Sequence, residues 1–310
     1  MSLLVFGHKN PDTDSICSSI SLSYLKNSLG IDAKPYALGE VRKEAQFVLD
    51  YFNVDAPEIL DTTKTSIKGL DVVLVDHNEY IQSADGIEDA NIVEIVDHHK
   101  IGGICTDVPI SFRVMPVGCS CTVIYNMYKE NNVKIPYHIA GLLLSAILSD
   151  TLLFKSPTTT DKDKEACKVL SKIANINIEE YAMDMFKAGT SLDEFTIAEI
   201  VNMDFKEFNM SEKRVGIGQV FTLDIDSIFA KKDEFLSYIN STDYDMLVLA
   251  ITDIIKEGSY LIYKADNTII SNAFNVNAEQ GVFAEGVVSR KKQLVPNLTT
   301  SIKINSSNLL

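Results

Sequence analysis

Apolar and polar positions along the first half of the chain change period repeatedly. Leu3–Phe6 is an unbroken apolar run stopped by Gly7, which reads as a short strand buried on both faces and ended by the glycine. From Asp14 to Leu29, Ile16, Ile20, Leu25 and Leu29 recur near one helical face, and Gly30 stands where a helix C-cap belongs. Pro35–Leu38 predicts a second strand and Arg42–Phe52 a second helix. DVVLVDHNE (71–79) and NIVEIVDHHK (91–100) share one shape, apolar for most of their length and then abruptly polar. Further helices are predicted over Cys121–Asn131, Tyr137–Ser149, Asp161–Ala174 and Ile178–Lys187. Nearly all-apolar strands alternating with helices predict a parallel sheet covered by helices on both faces. Ligands of such sheets bind beyond the carboxyl ends of the strands, where these polar residues cluster.

The stretch KAGTSLDEF (187–195) breaks this rhythm and predicts a connection over 188–195 between a domain of residues 1–187 and one of residues 196–310. Beyond it, Arg214–Leu223 and Asp245–Ile255 read as strands, Gly258–Lys264 as the hairpin partner of the second, and Ile225–Ile239 as a helix. The fold class expected is α/β, with an N-terminal parallel sheet followed by a smaller mixed-sheet α/β domain.

With 310 residues, 46% of them apolar, the chain can bury a core in each domain. The formal charge of −15 argues against holding long nucleic acid by its phosphates, so an anionic substrate has to be met by local cations or by metal ions. The five cysteines form no CxxC pair, and Cys119 and Cys121 stand in a CSC triplet with no other ligand-type residue beside them in the sequence. Reduced, mostly structural thiols in a reducing compartment are expected. No charged-then-apolar leader precedes the first strand, and no apolar stretch reaches the roughly 18 residues of a membrane span. The expectation is a cytoplasmic protein with neither membrane nor nucleic acid as partner.

Histidine is scarce, and four of the five lie at the ends of the three apolar runs: His8, His77, His98 and His99. Asp12, Asp14, Asp76 and Asp97 stand with them, and Asp150 ends the apolar run LLLSAILSD. A lone aspartate at a strand end is ordinarily a cap or turn former, and a lone histidine a hydrogen-bonded structural residue. The conjunction of GHxxPDxD, DHNE, DHH and an isolated SD is a different matter. Carboxylates gathered so densely repel one another unless a cation sits among them. Carboxylate and imidazole donors without thiolate suit Mn²⁺, Co²⁺ or Mg²⁺ better than structural Zn²⁺. Their number suits two ions roughly 3.5–4 Å apart, bridged by shared carboxylates, which is a hydrolytic arrangement. Far downstream, SRKKQ (289–293) sets Arg290, Lys291 and Lys292 side by side, either as a solvated basic face or as phosphate contacts. Lys206 in MDFKEF is a further candidate cation.

GHKNPDTDS, VDHNE, VDHHKIGG, SDTLLFKSPTTT, DFKEF and SRKKQLVPNL run in this order from residue 7 to residue 298. In them the chain resembles the family II inorganic pyrophosphatases of the DHH phosphoesterase superfamily. The resemblance implies that His8, Asp12, Asp76 and Asp150 hold one Mn²⁺, and that Asp14, Asp76, His98 and Asp150 hold the other. Asp76 and Asp150 are then the bridges, and Co²⁺ or Mg²⁺ are possible substitutes. It implies that His99, Lys206, Arg290 and Lys291 are the catalytic contacts to pyrophosphate, which arrives with Mg²⁺. Asp97 and His77 stand behind the ligands and orient them. The family commonly forms homodimers through an edge strand of the first domain. The activity expected is hydrolysis of diphosphate to two orthophosphates by a metal-bridging hydroxide, in a cleft that substrate closes. Another DHH phosphohydrolase (a short-chain exopolyphosphatase or an oligonucleotide or 3′-phosphoadenosine phosphate phosphatase) and a non-catalytic metal or nucleotide sensor are the alternatives.

Overall fold

The computed structural model describes residues 2–253 and 255–307. The chain divides into two compact units, Met1–Gly189 and Thr190–Leu310.

The first unit is built on six strands: β1 (Leu3–Lys9), β2 (Ala33–Leu38), β3 (Glu58–Ile59), β4 (Asp71–Val75), β5 (Asn91–Asp97) and β6 (Ser111–Val114). They lie in the order β3-β2-β1-β4-β5-β6, and every neighbouring pair is parallel. Among the described residues, six α-helices accompany them: α1 (Thr13–Ser28), α2 (Lys43–Phe52), α3 (Ser120–Glu130), α4 (Tyr137–Asp150), α5 (Asp161–Ile173) and α6 (Ile178–Gly189). Because β1 pairs with β2 on one side and β4 on the other, the strand order reverses there, at the kind of switch point where open α/β sheets bind ligands. Leu4, Phe6, Leu74 and Ile95 pack one core of this sheet. Among the described residues the short strands β3 and β6 form its edges.

The predicted parallel sheet is present, with two corrections in detail. Gly7 does not end the first strand, which runs on through His8 to Lys9. A Cβ at Gly7 would lie 2.5 Å from Ser15 Cβ and 2.8 Å from Ser15 Cα, so the glycine is there to let α1 approach β1 closely. The KAGTSLDEF stretch begins helical, because α6 continues to Gly189.

The second unit contains α7 (Ile197–Asn202), β7 (Phe205–Met210), β8 (Lys213–Phe221), α8 (Ile225–Ala230), α9 (Lys232–Ser241), β9 (Met246–Asp253), β10 (Gly258–Lys264), α10 (Asn267–Phe274), β11 (Val282–Glu285) and α11 (Val295–Ser307). Its sheet runs β11-β10-β9-β8-β7, parallel between β8 and β9 and antiparallel elsewhere. The predicted hairpin is β9–β10, with Gly258 opposite Asp253. Ile254, at the end of the strand expected over Asp245–Ile255, lies outside the described residues. The single helix expected over Ile225–Ile239 is two, parted at Lys231, where the backbone turns to φ −101°, ψ 14°. No glycine or proline marks that break in the sequence. Two apolar layers enclose the sheet, Val215, Val248 and Leu261 on one side and Leu247, Leu249 and Ile262 on the other.

Candidate active site

The close approach at Gly7 sets the first part of the site. Ser15, one turn into α1, is near enough to donate from its hydroxyl to Asp76 Oδ2 at 2.8 Å, while the His8 amide donates to the Ser15 hydroxyl at 3.3 Å. Asp12 caps α1, accepting the Ser15 amide on Oδ1 at 3.0 Å. Its other oxygen lies 3.4 Å from His8 Nε2. Asp14 is fully buried and points the opposite way, toward the start of α3. The Ser120 amide donates to its Oδ2 at 2.7 Å, and the Cys121 amide to its Oδ1 at 3.1 Å. A helix N-terminus suits a carboxylate, which is why Asp14 tolerates this burial.

Asp76 is the first residue beyond β4 and takes φ +58°, a left-handed conformation that aspartate accepts more readily than most residues. The turn aims its two oxygens at different imidazoles: Oδ2 is 3.3 Å from His8 Nε2, and Oδ1 is 3.5 Å from His98 Nε2. Asp97 ends β5 and accepts on Oδ1 from the amides of His98 and His99 and from His99 Nδ1 at 2.9 Å. Asn78 donates to its other oxygen. Asp150 closes α4 with its carboxylate 3.9 Å from His98 Nε2. After Thr151 come three left-handed residues, Leu152, Leu153 and Phe154, which is costly backbone of the kind found around functional sites. Donor atoms of His8, Asp12 and Asp76 lie within 4.8 Å of one another, as do those of Asp14, His98 and Asp150, and those of Asp76, His98 and His99.

The imidazoles are ordered by one rule. Carbonyl oxygens only accept, so His8 Nδ1 donates to Lys9 at 2.8 Å, His98 Nδ1 to Val117 at 3.1 Å and His77 Nδ1 to Val75 at 2.8 Å. For His8 and His98 the remaining nitrogen, Nε2, faces carboxylate oxygens, acceptor against acceptor, and something positive has to lie between them. Either a proton or a metal ion serves, and an Nδ1–H fixed by a carbonyl is how metal-binding histidines are ordinarily held. His77 is fully buried, and its Nε2 has no hydrogen-bond partner. His99 is half exposed, with Nδ1 tied to Asp97.

The charges of the metal-free cluster show the same need. Burial, then the charge of Asp76, pushes the Asp14 carboxyl up to about 6. Burial, then Asp14 and Asp76, drives Asp150 well above the carboxylate range. Burial opposes a charge on His8, but hydrogen bonds with Asp12 and Asp76 outweigh it and raise the imidazole to about 11. His98 rises to about 9, against its own burial, through Asp76 and Asp14. Asp76 is buried as well, yet His8 and His98 hold it below its ordinary range. Oxygen and nitrogen donors around shared carboxylates fit hard divalent cations, which would take the place of these protons.

The remaining expected contacts lie in the second unit. Lys206 is an exposed residue of β7. Arg290 begins a π-helical turn, Arg290–Leu294, and its guanidinium pairs with Asp204 Oδ1 at 2.7 Å, two residues before Lys206. Its amide donates to the side chain of Gln219, which is buried in β8. Lys291 follows, exposed.

Some contributors were not visible in the sequence. Cys119 and Cys121, which have no ligand-type residue beside them in the sequence, lie against Asp14 with their sulfur atoms within 4.8 Å of its carboxylate. Folding brings the start of α3 to the start of α1 across more than a hundred residues. Ser120 adds a hydroxyl 3.3 Å from Asp76 Oδ1. Buried Asp163 accepts from the Gly118 amide and the Thr122 hydroxyl and so fastens the turn that presents those amides. The only sequence signal was TDKD (160–163), the capping box that opens α5.

Comparison with known proteins gives a consistent result. Residues 2–147 match the model of the DHH family N-terminal domain, and residues 183–301 that of the DHHA2 domain. The chain is 45% identical over 306 residues to the manganese-dependent inorganic pyrophosphatase of Bacillus subtilis, covering 97% of this chain and 98% of that protein. It is 48% identical over 307 residues to a "probable manganese-dependent inorganic pyrophosphatase" of Clostridium acetobutylicum, covering 97% and 98%. Among solved structures, a proposed family II inorganic pyrophosphatase of Methanococcus jannaschii is 43% identical, with a TM-score of 0.61 over 96% of this chain and 99% of that one. An exopolyphosphatase-related protein of Bacteroides fragilis, 12% identical with a TM-score of 0.51, shares the fold.

Proposed function

This chain belongs to the manganese-dependent inorganic pyrophosphatases, and we infer from that premise how its residues divide the work. It is a hydrolase of phosphoric anhydrides that cleaves diphosphate with the help of divalent metal. The observation that carries the reading is the pair of imidazole Nε2 atoms facing opposite oxygens of Asp76. A carboxylate placed so would suit a bridge between two ions. We therefore assign His8, Asp12, Asp76 and Asp150 to one Mn²⁺ and Asp14, Asp76, His98 and Asp150 to the other, with Mg²⁺ accompanying the substrate. Bound there, two ions would lower the pKa of a water held between them and neutralise phosphoryl oxygens.

The protein's own groups do the rest. Lys9 and Val117 carbonyls fix the tautomers of His8 and His98, so both present Nε2 lone pairs. Asp97 accepts from His99 Nδ1 and so favours its charged form, and in that imidazolium form the exposed ring would donate Nε2–H to a phosphoryl oxygen. His77, next to Asp76 in the chain and held by the Val75 carbonyl, is assigned with Asp97 to the orienting residues. Lys206, Arg290 and Lys291 are assigned to phosphate contact, Arg290 in exchange for or alongside its pairing with Asp204. A homodimer joined along the edge strand β6 is supported by its exposed Phe112, with Val108 just before it. Five free cysteines support a cytoplasmic location, and the −15 charge supports the exclusion of nucleic acid.

Phosphate release from diphosphate, tripolyphosphate, a dinucleotide and 3′-phosphoadenosine phosphate, each with Mn²⁺ and with Mg²⁺, tests the assignment. Diphosphate should be cleaved fastest by at least an order of magnitude. Preference for tripolyphosphate would make the protein an exopolyphosphatase, and preference for either nucleotide a nucleotidase.

A further inference from the structure

Two of the donors sit at the ends of helices that pack directly against each other. Asp14 is the second residue of α1, and Asp150 is the last of α4. One side chain spans both backbones. The Thr13 hydroxyl donates to Glu44 Oε1 at 2.6 Å, and the Ser149 hydroxyl donates to the same oxygen at 2.5 Å. Thr13 directly precedes Asp14, and Ser149 directly precedes Asp150.

Glu44 is itself confined. A Cβ at Gly189, the last residue of α6, would lie 2.8 Å from Glu44 Cβ and 3.1 Å from its Oε2. The glycine leaves room for the glutamate to reach inward, and any larger residue would press on it. Nothing in the motifs that carry the metal donors includes Glu44; it comes from α2, between the strands.

We propose that Glu44 is a positioning residue that sets the spacing of Asp14 and Asp150, and so the affinity of the ion those two share. The proposal rests on the assignment of Asp14 and Asp150 as donors to that ion. Groups that orient a ligand from behind are typically worth about 10–100-fold in metal affinity. The bridge is a hydrogen-bond acceptor, so glutamine, which keeps the Oε1 acceptor, should largely replace it.

Metal-stripped protein is titrated with Mn²⁺, free ion being read by electron paramagnetic resonance, for wild type, Glu44→Ala, Glu44→Gln and Gly189→Ala. Wild type should bind two ions. Glu44→Ala should weaken the ion that takes both Asp14 and Asp150 about 10–100-fold, and the other, which shares only Asp150, by clearly less. Glu44→Gln should lie close to wild type, and Gly189→Ala should shift in the same direction as Glu44→Ala. A wild-type isotherm with only one ion would defeat the two-ion reading itself. Two ions in wild type with an unchanged Glu44→Ala isotherm would overturn the proposal alone. So would equal weakening of both ions, which marks general loss of structure, or a Glu44→Gln variant as impaired as Glu44→Ala.

Discussion

Replacing Gly7 with alanine tests whether the close approach of α1 to β1 builds the site. The added Cβ would stand 2.5 Å from Ser15 Cβ, 2.6 Å from Ser15 Oγ and 2.8 Å from Ser15 Cα. Rotating the Ser15 side chain relieves the second contact only. The third is to the helix backbone and the first to Cβ, whose place the backbone fixes, so α1 has to move. Overpacking of this kind costs about 1–3 kcal/mol. Movement also breaks the hydrogen bond from Ser15 to the buried Asp76 carboxylate, and such bonds to charged groups contribute about 1.5–3 kcal/mol. The combined loss is about 2.5–6 kcal/mol, a large share of the ordinary 5–15 kcal/mol stability of a folded protein. It should appear in urea unfolding of the metal-free chain followed by circular dichroism, with weaker Mn²⁺ binding because Asp12 and Asp14 travel with the helix. Ser15→Ala removes the hydrogen bond without the clash and should lose about half as much. Ser15→Gly in the Gly7→Ala background removes the Cβ contact and should recover part of the loss. A Gly7→Ala protein within about 0.5 kcal/mol of wild type, the scatter of neutral surface changes, and with unaltered Mn²⁺ binding would refute the reasoning.

Asp150→Asn should lower Mn²⁺ affinity and turnover together, and by more than His8→Ala, because Asp150 is assigned to both ions and His8 to one; equal effects in equilibrium dialysis and phosphate release would contradict the bridging assignment. Arg290→Ala should leave Mn²⁺ binding intact and reduce kcat, since a cation meeting developing phosphoryl charge acts mainly in the transition state; loss of metal binding in that variant would remove Arg290 from the substrate contacts. The metal-free chain should lose stability as pH rises. Protonated His8 and His98 contribute fully below about pH 6.5, the ordinary imidazole value, and that contribution is lost as pH climbs through about 9 for His98 and about 11 for His8. Asp14, raised to about 6, acts in the same direction at lower pH, whereas Asp76, held below its ordinary range, loses its contribution only on acidification. The urea midpoint of the metal-free protein should therefore fall between pH 6.5 and 9.5, with little change when Mn²⁺ replaces the protons; a rising midpoint without metal would contradict the sign.

Most of the first unit was legible because its strands are short apolar runs and its chemistry sits where those runs turn polar. His8, Asp76, Asp97 and His98 could be placed at strand ends from periodicity alone, and the sheet order puts β1, β4 and β5 side by side. What periodicity could not supply was the second layer of contacts. Ser15, Ser120, Glu44 and Asp163 are ordinary residues in sequence, and their roles arise from pairings between residues separated by 31 to 105 positions or more. Gly7 was visible but misread, since a glycine ending a strand and a glycine admitting a helix look alike until the partner is known. Short elements such as β3, β6 and α7 carry too few residues for a period to show. The Arg290–Asp204 pair was hidden for the same reason as Glu44, because it joins two distant stretches of the chain.

The central claim, that this donor cluster hydrolyses diphosphate through bound metal, is tested most directly by adding Mn²⁺ stepwise to the metal-stripped full chain and following phosphate release from diphosphate, wild type beside Asp76→Asn. Wild type should be inactive without metal and should gain its activity as the second equivalent binds, two phosphates appearing for each diphosphate consumed. Asp76→Asn should remain at least about a hundredfold slower at the same Mn²⁺ concentration, a loss of roughly 2.7 kcal/mol in transition-state stabilisation. Full activity in the metal-stripped wild type, or wild-type turnover in Asp76→Asn, would contradict it.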